Sequence, residues 1–327
     1  MSDAGKPEPR TVLAYLGRAQ EFLAARGAAS ARLDAEVLLA FVLGIDRVGV
    51  YLRFDQPLAP REVDAYRELL RRRAAGTPVA YLTGTREFWS TPLAVTPDVL
   101  IPRPETELLV ERVLAERRPR NAAGEATLHG TDAAASDAGA AAGGAGTAGA
   151  LRILDLGTGS GAIAIALARE LPAARVVAVD VSSAAADVAT ANAQRAGVAA
   201  RVRIVVGSWT GPLDPAERFD IIVSNPPYIP TAALAGLAPE VRAEPVLALD
   251  GGDDGLAAYR ALVPDATAHL APGGRLLVEV GEGQAEAVAA IFVAAGLEGV
   301  AWHEDLAGIA RVVAATAAMP ALAEVAV

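Results

Sequence analysis

Apolar positions along this chain follow two regimes. Up to residue 80 they recur at helical spacing: Val12, Leu16, Ala19 and Leu23 form one stripe that Gly27 can close, and Leu33, Leu38, Phe41 and Val42 form a second between Ser30, a capping residue, and Gly44. A further helix starts near Pro60, a favoured first-turn residue, and ends at Gly76. It carries Arg61, Arg67, Arg71, Arg72 and Arg73, which fit either a solvated face or a docking surface for an acidic or RNA-bound partner. Two short β-type runs, Glu87-Phe88-Trp89 and Leu93-Ala94-Val95, flank Ser90-Thr91-Pro92 and predict a hairpin; Thr106, after Arg103 and Glu105, can start a helix through Leu114. From residue 151 the pattern changes. Short apolar runs at 151–156, 176–180, 202–206, 219–224 and 274–280 alternate with helical stretches, and 299–304 and 311–315 make a last strand pair. That alternation predicts an α/β domain, a mostly parallel sheet covered on both faces.

The resulting division is a helical domain over 1–80, a hairpin linker over 81–105 and a larger domain over 106–327. Residues 121–150 interrupt it. Roughly two-thirds of that segment is alanine or glycine without apolar period, a composition that cannot bury enough surface to offset its ordering entropy, so a disordered insertion is expected.

Candidate chemistry gathers where strands end. The first strand runs into Gly157-Thr158-Gly159-Ser160-Gly161 and then an apolar helix, a turn that lets backbone approach a ligand and aims a helix N-terminus at an anion. The second strand ends in Asp180, an acid about 20 residues on, where a carboxylate can take both ribose hydroxyls. A nicotinamide dinucleotide and S-adenosylmethionine both suit this layout. The third glycine falls one residue earlier than in the dinucleotide fingerprint, which favours the methyl donor. Trp209, after the third strand, is placed either to pack on an adenine or to fill core. The fourth strand stops in Asn225-Pro226-Pro227-Tyr228. Neither proline donates an N–H, and Asn225 before a proline is held extended. The Asn225 carboxamide, the Pro226 carbonyl and the Tyr228 ring could together receive a flat NH2 group, two acceptors for its hydrogens and a face to stack on; the plainer alternative is a proline-ended turn. The long stretch from Thr231 to Gly255, with Glu240, Glu244-Pro245 and Gly251-Gly252, reads as a lid.

Composition narrows the function classes. The chain has 327 residues, no cysteine and a net charge of −10. There is thus no thiolate metal site or thiol nucleophile, and no metal is expected. Residues 1–80 hold 12 basic and 10 acidic side chains, leaving −12 for the rest, a poor match to long nucleic acid, so no direct DNA partner is expected. No apolar run reaches the roughly 18 residues of a spanning helix and the start lacks an apolar signal region, so the expectation is a cytoplasmic protein with no membrane association.

These residues resemble the bacterial protein-(glutamine-N5) methyltransferases that modify peptide chain release factors. The likeness rests on Ala80-Tyr81-Leu82-Thr83-Gly84, Glu87-Phe88-Trp89, the run from Ile101 to Glu107 (Arg103-Pro104-Glu105-Thr106 at its centre), the glycine loop, Asn225-Pro226-Pro227-Tyr228, Glu244-Pro245 and Gly251-Gly252. A sister group acting on a ribosomal protein's glutamine usually reads Arg-Ser-Pro where this chain has Arg103-Pro104-Glu105, and Asn-Pro-Pro-Tyr also occurs in DNA and RNA amine methyltransferases. The resemblance implies a seven-stranded, Rossmann-like S-adenosylmethionine-dependent domain behind a small helical substrate-docking domain. It also implies a monomer that methylates the Gly-Gly-Gln glutamine of class 1 release factors. By it Gly157, Thr158, Gly159, Ser160, Gly161, Asp180, Trp209 and Asn225 contact the cofactor, Asn225, Pro226, Pro227 and Tyr228 hold the glutamine, and Asn225, Pro226 and Tyr228 are catalytic. Ser208 stands where the family commonly has an aspartate facing the adenine amine.

Overall fold

The computed structural model describes residues 11–116 and 150–319, so the expected insertion lies, Ala150 apart, outside the described residues. Five helices come first: α1 (Val12–Ala24), α2 (Ala31–Leu43), α3 (Arg47–Tyr51), α4 (Pro60–Ala74) and α5 (Val79–Thr83). A two-stranded hairpin follows, β1 (Thr85–Phe88) and β2 (Thr91–Ala94). The remaining chain alternates: α6 (Glu107–Glu116), β3 (Arg152–Leu156), α7 (Ala162–Glu170), β4 (Arg175–Asp180), α8 (Ser183–Arg195), β5 (Val202–Val206), β6 (Phe219–Ser224), α9 (Pro239–Arg242), α10 (Ala257–His269), β7 (Leu270–Glu279), α11 (Ala285–Ala294), β8 (Leu297–Glu304) and β9 (Ala310–Ala317).

The seven strands from β3 onward form one sheet in the order β5-β4-β3-β6-β7-β9-β8. The first five pair in parallel and β9 runs antiparallel to both neighbours. Successive strand residues feed opposite faces, as the pleat requires. Ile153, Val176, Ile221, Val223 and Leu277 pack with residues of α6 and α7, whereas Leu154, Val177, Ile222, Leu276 and Val278 pack with Tyr259 and Leu262 of α10 and Phe292 of α11. Both faces are therefore covered, which is why these strands read as nearly continuous apolar runs. The strand order reverses between β3 and β6, and the crevice at the carboxyl ends of these two strands is where an open α/β sheet receives ligands.

Several local expectations change. In α1 the stripe is as read, with Thr11 accepting from the Ala14 N–H as its cap. In α2, Leu33 and Phe41 are exposed and the buried face is instead Ala31, Asp34, Ala35, Leu38 and Leu39 with Glu36. Ion pairing is the reason. Glu36 accepts from Arg32, Arg47 and the Tyr51 hydroxyl, which together hold its carboxyl near 2 against the opposing effect of burial, the largest single influence on it. Ser30 makes no side-chain cap. The hairpin turn is Trp89-Ser90, one residue earlier than expected; both adopt the left-handed region, φ 48° and 52°, and the Trp89 N–H donates to Glu107 at 2.8 Å. Thr106 closes a 3-10 turn, Pro104–Thr106, and α6 begins directly after it.

The arginine-rich helix α4 is not a uniformly solvated face. Arg73 is buried, donating to Asp34 Oδ2 at 2.7 Å and reaching Glu240 of α9 at 3.4 Å, so it joins the helical part to the segment after β6. Removing one partner of a buried pair strands the other charge. Arg73→Met is expected to cost about 3–5 kcal/mol of unfolding free energy, while the paired change Asp34→Leu/Arg73→Met recovers most of it. Urea unfolding midpoints at constant slope check this; equal midpoints for the single mutant and wild type would show that the pair contributes nothing.

Candidate active site

Two adjoining cavities open at the carboxyl ends of the central strands. The larger, about 330 Å³, is lined by Gly157 and Gly159 after β3, Asp180 after β4, Ser208 and Trp209 after β5, and Asn225 and Pro227 after β6, with Leu100, Pro245 and Ala248 closing it. The smaller, about 240 Å³, is lined by Leu100, Arg103, Asn225, Tyr228, Val241 and Ala248 among others. Asn225, Leu100 and Ala248 are common to both and form the wall between them. A wider groove of about 660 Å³ lies away from this crevice, between α1 and α4.

Most amides of the glycine turn have partners within the protein. The N–H groups of Gly157 and Thr158 both donate to the Val179 carbonyl, that of Gly159 to Asp180 Oδ2 at 2.8 Å, and that of Gly161 to the Thr158 carbonyl. These four amides are occupied within the protein. What the turn contributes to a ligand is close approach and the positive end of α7. Thr158 and Ser160 are buried; the Thr158 hydroxyl donates to Asp155 Oδ2 at 2.7 Å and the Ser160 carbonyl accepts from Asn192 at 2.9 Å, and neither residue, nor Gly161, lines the cavity. Asp180 does line it. Its oxygens accept from the Gly159 and Ser182 amides, which fixes the carboxylate and leaves each oxygen a further lone pair. Trp209 is held at φ 45° with its ring edge 4.0 Å from where a Cβ on Gly157 would stand.

The Asn-Pro-Pro-Tyr segment leaves the sheet directly after Ser224, whose hydroxyl donates to the Leu156 carbonyl and ties β6 to β3. Among the described residues no donor reaches the Pro226 carbonyl; Pro226 itself is buried and its side chain lines neither cavity, while Pro227 lines the larger and Tyr228 the smaller. Burial, assisted by Glu279, pushes the Tyr228 hydroxyl up to about 12, so the ring faces the cavity uncharged. Its backbone is gripped closely. The Tyr228 carbonyl accepts from Gln284 at 2.9 Å, and a Cβ on Gly255 would stand 2.4 Å from that carbonyl oxygen, so only glycine fits there. A Cβ on Gly251 would fall 2.8 Å from the Tyr228 backbone. Pairing of Ile229 with Asp250 then folds the following segment back over the crevice.

That segment is the lid read from the sequence. Glu244, buried, accepts from the Ile101 N–H at 2.9 Å and from Arg103, which clamps the lid to the strand-like stretch before α6. Arg103 lines the smaller cavity, whereas Glu105 is exposed and lines neither.

Sequence reasoning assigned no site role to Glu279 or Asp155 and read Thr106 only as a helix start. Thr106 is buried and its hydroxyl oxygen accepts from Asn225 Nδ2 at 3.0 Å. Glu279, at the end of β7, is buried with Oε2 unpartnered; burial pushes its carboxyl up to about 7 while the nearby Thr106 hydroxyl and Asn225 carboxamide act to lower it. An acid inside the run Leu276-Leu277-Val278-Glu279-Val280 was the available signal. Asp155 is fully buried, with Oδ1 unpartnered, and burial raises it to about 7 as well.

A seven-stranded sheet of this order, with an acid after its second strand, a glycine turn after its first and a proline-stopped strand after its fourth, defines a Rossmann-like methyltransferase. The hMettl16 catalytic domain shares this fold, with a TM-score of 0.51 at 14% identity over 74% of this chain and 82% of that one. The PrmC N-terminal domain family matches residues 14–84 and the methyltransferase small domain family residues 147–238. Over 94% of this chain and 97% of the relative it is 46% identical to the release factor glutamine methyltransferase of Geobacter sulfurreducens. The corresponding figures for the Moorella thermoacetica protein of the same name are 44%, 88% and 91%. The chain belongs to the release factor glutamine methyltransferase family.

Asp155 supplies a pH test. Its folded value near 7 lies above the ordinary 3.8, so the native state binds a proton that the unfolded chain releases. Its contribution to stability is present at low pH and is lost as pH rises through the folded value. Asp155→Asn, which keeps an acceptor for Thr158 and the Ala164 amide, should therefore gain on wild type in melting temperature between about pH 5 and pH 8. A mutant-to-wild-type difference that stays flat over that range would show that the carboxyl titrates normally.

Proposed function

We propose that this chain transfers a methyl group from S-adenosylmethionine to the side-chain amide nitrogen of the glutamine in the Gly-Gly-Gln loop of class 1 release factors, working as a monomer in the cytoplasm. The observation that carries this is Asn225 standing in the wall common to the two cavities. One cavity suits a nucleoside and the other a flat side chain, with the reacting atoms meeting at one carboxamide. The names of the relatives supply the protein substrate. Among the described residues no helix is long and apolar enough to cross a membrane.

The larger cavity fits the methyl donor. Asp180 is fixed with lone pairs to spare for a ribose, Trp209 and Ser208 offer a ring and a hydroxyl to an adenine, and the turn at Gly157 and Gly159 leaves room for the amino-acid end. When bound, S-adenosylmethionine supplies an electrophilic methyl carried on a sulfonium. The residues' task is then positioning. An amide nitrogen is a weak nucleophile, its lone pair being delocalised, so alignment counts for much; a well-oriented pair gains an effective molarity of about 10⁵ M or more. The Asn225 side-chain oxygen and the Pro226 carbonyl accept the two amide hydrogens, and the Tyr228 ring stacks on the amide plane. The same acceptors stabilise positive charge as it grows on nitrogen, before one N–H proton is shed to water. Val246 and Leu247 stand exposed on the lid beside the crevice, and the groove between α1 and α4 sets Arg67 and Arg71 over an apolar floor, both suited to a protein substrate.

Incubation with S-adenosylmethionine and a release factor should add one methyl to the Gly-Gly-Gln peptide, read by mass spectrometry; an unmodified peptide overturns the assignment. Asn225→Ala should lower the single-turnover rate about a hundredfold or more with a much smaller change in cofactor affinity. Retention of more than about a tenth of the wild-type rate would reduce Asn225 to a turn residue.

A further inference from the structure

A carboxamide can face a cavity with either end, and only one end accepts hydrogen bonds. Density rarely distinguishes them, so the surroundings decide. Neither Thr106, whose hydroxyl accepts from Asn225 Nδ2 at 3.0 Å, nor the buried Glu279 lines either cavity. Glu279 stands beside Asn225 at the strand ends, since Ser224 of β6 pairs with Val278 of β7. Tyr259 donates to its backbone carbonyl at 2.9 Å, which fixes the strand end. When ionised its carboxylate is an acceptor only, and its Oε2 has no partner. Burying such a group away from compensating donors is destabilising, so its presence calls for a reason.

We propose that Glu279 and Thr106 are positioning residues that dictate which end of the Asn225 carboxamide faces the substrate. The Thr106 hydroxyl has one hydrogen, and the neighbouring carboxylate attracts it; the hydroxyl oxygen is thereby left as an acceptor toward Asn225. Asn225 then meets only acceptors on its inner side and must turn its NH2 inward. Its oxygen consequently faces the smaller cavity, where an incoming NH2 group needs an acceptor. With the carboxamide reversed, its hydrogens would oppose those of the substrate amide and the site would reject it. Arg103-Pro104-Glu105-Thr106 thus enters the chemistry through its threonine, which the 3-10 turn brings beneath the strand end.

The inference rests on Asn225 as the substrate acceptor, and its test separates the two claims. In Glu279→Gln the new side chain carries its own NH2 and can oppose that of Asn225. Glu279→Gln and Thr106→Val should each lower kcat about ten- to a hundredfold, with cofactor Kd held within about threefold; Thr106→Ser should restore the rate. The double mutant Asn225→Ala/Glu279→Gln should be no slower than Asn225→Ala alone, because Glu279 acts through Asn225. A wild-type kcat in Glu279→Gln, or additive losses in the double mutant, would overturn the proposal. A second readout needs no substrate. In a spectrum of protein labelled with ¹⁵N-asparagine, the side-chain pair missing from Asn225→Ala should exchange slowly in wild type, become fast in Glu279→Gln and Thr106→Val, and return to slow in Thr106→Ser. If wild type failed to methylate a release factor, the substrate assignment would fall, yet this spectrum would still decide the orientation: a pair indifferent to Glu279 and Thr106 refutes it.

Discussion

Two prolines with no N–H to give determine where this molecule can act. At Pro226 and Pro227 the β6 backbone cannot continue into a ladder, so the chain leaves the sheet at the point where strand order reverses. The surrounding structure is shaped to that departure. Gly251 and Gly255 make way for the Tyr228 backbone, Gln284 holds its carbonyl, and the segment that follows folds back as the lid. Glu244 then fastens that lid to Ile101 and Arg103 ahead of α6. Without the stop, none of these elements would have a fixed edge to close upon.

Buried carboxyls recur around this framework, each for a different reason. Asp34 pairs with Arg73 across the join between the helical part and α9, Glu244 closes the lid, Asp155 receives the Thr158 hydroxyl within the glycine turn, and Glu279 lies under Asn225. Asp34 and Glu244, each given a guanidinium, act as fasteners. The two whose second oxygen lacks a partner, Asp155 and Glu279, are displaced toward neutrality and lie next to the crevice. Polar groups left incompletely satisfied in an interior are costly, and these two stand at strand ends that face the crevice.

Much of the sheet was legible because strands buried on both faces give short β-branched runs ending in glycine or an acid, and Gly157, Asp180, Trp209 and Asn225 could be picked out by standing directly after such runs. The helical part was harder. Its α2 face hides Asp34, whose ion-pair partner Arg73 is 39 residues on, and Glu36, while Leu33 and Phe41 face solvent. The hairpin turn was misplaced by one residue because Glu107, 18 positions on, captures the Trp89 amide. Thr106 read as a helix cap, since nothing local shows that its oxygen is taken by Asn225 119 residues later. In each case the deciding contact is distant in sequence and polar, a kind that periodicity does not report.

Because Asn225, Leu100 and Ala248 wall both cavities, the nucleoside and the amide of the proposed reaction would be thermodynamically linked. Whichever is bound first completes one side of that shared wall, and the second then meets a wall already in place. Linkage makes the benefit mutual: the factor by which a bound nucleoside improves affinity for the amide equals the factor by which the amide improves affinity for the nucleoside. Under the proposed reaction the same reciprocity would extend to the products, so that departure of the spent nucleoside or of the methylated side chain would change the hold on the other by an equal factor.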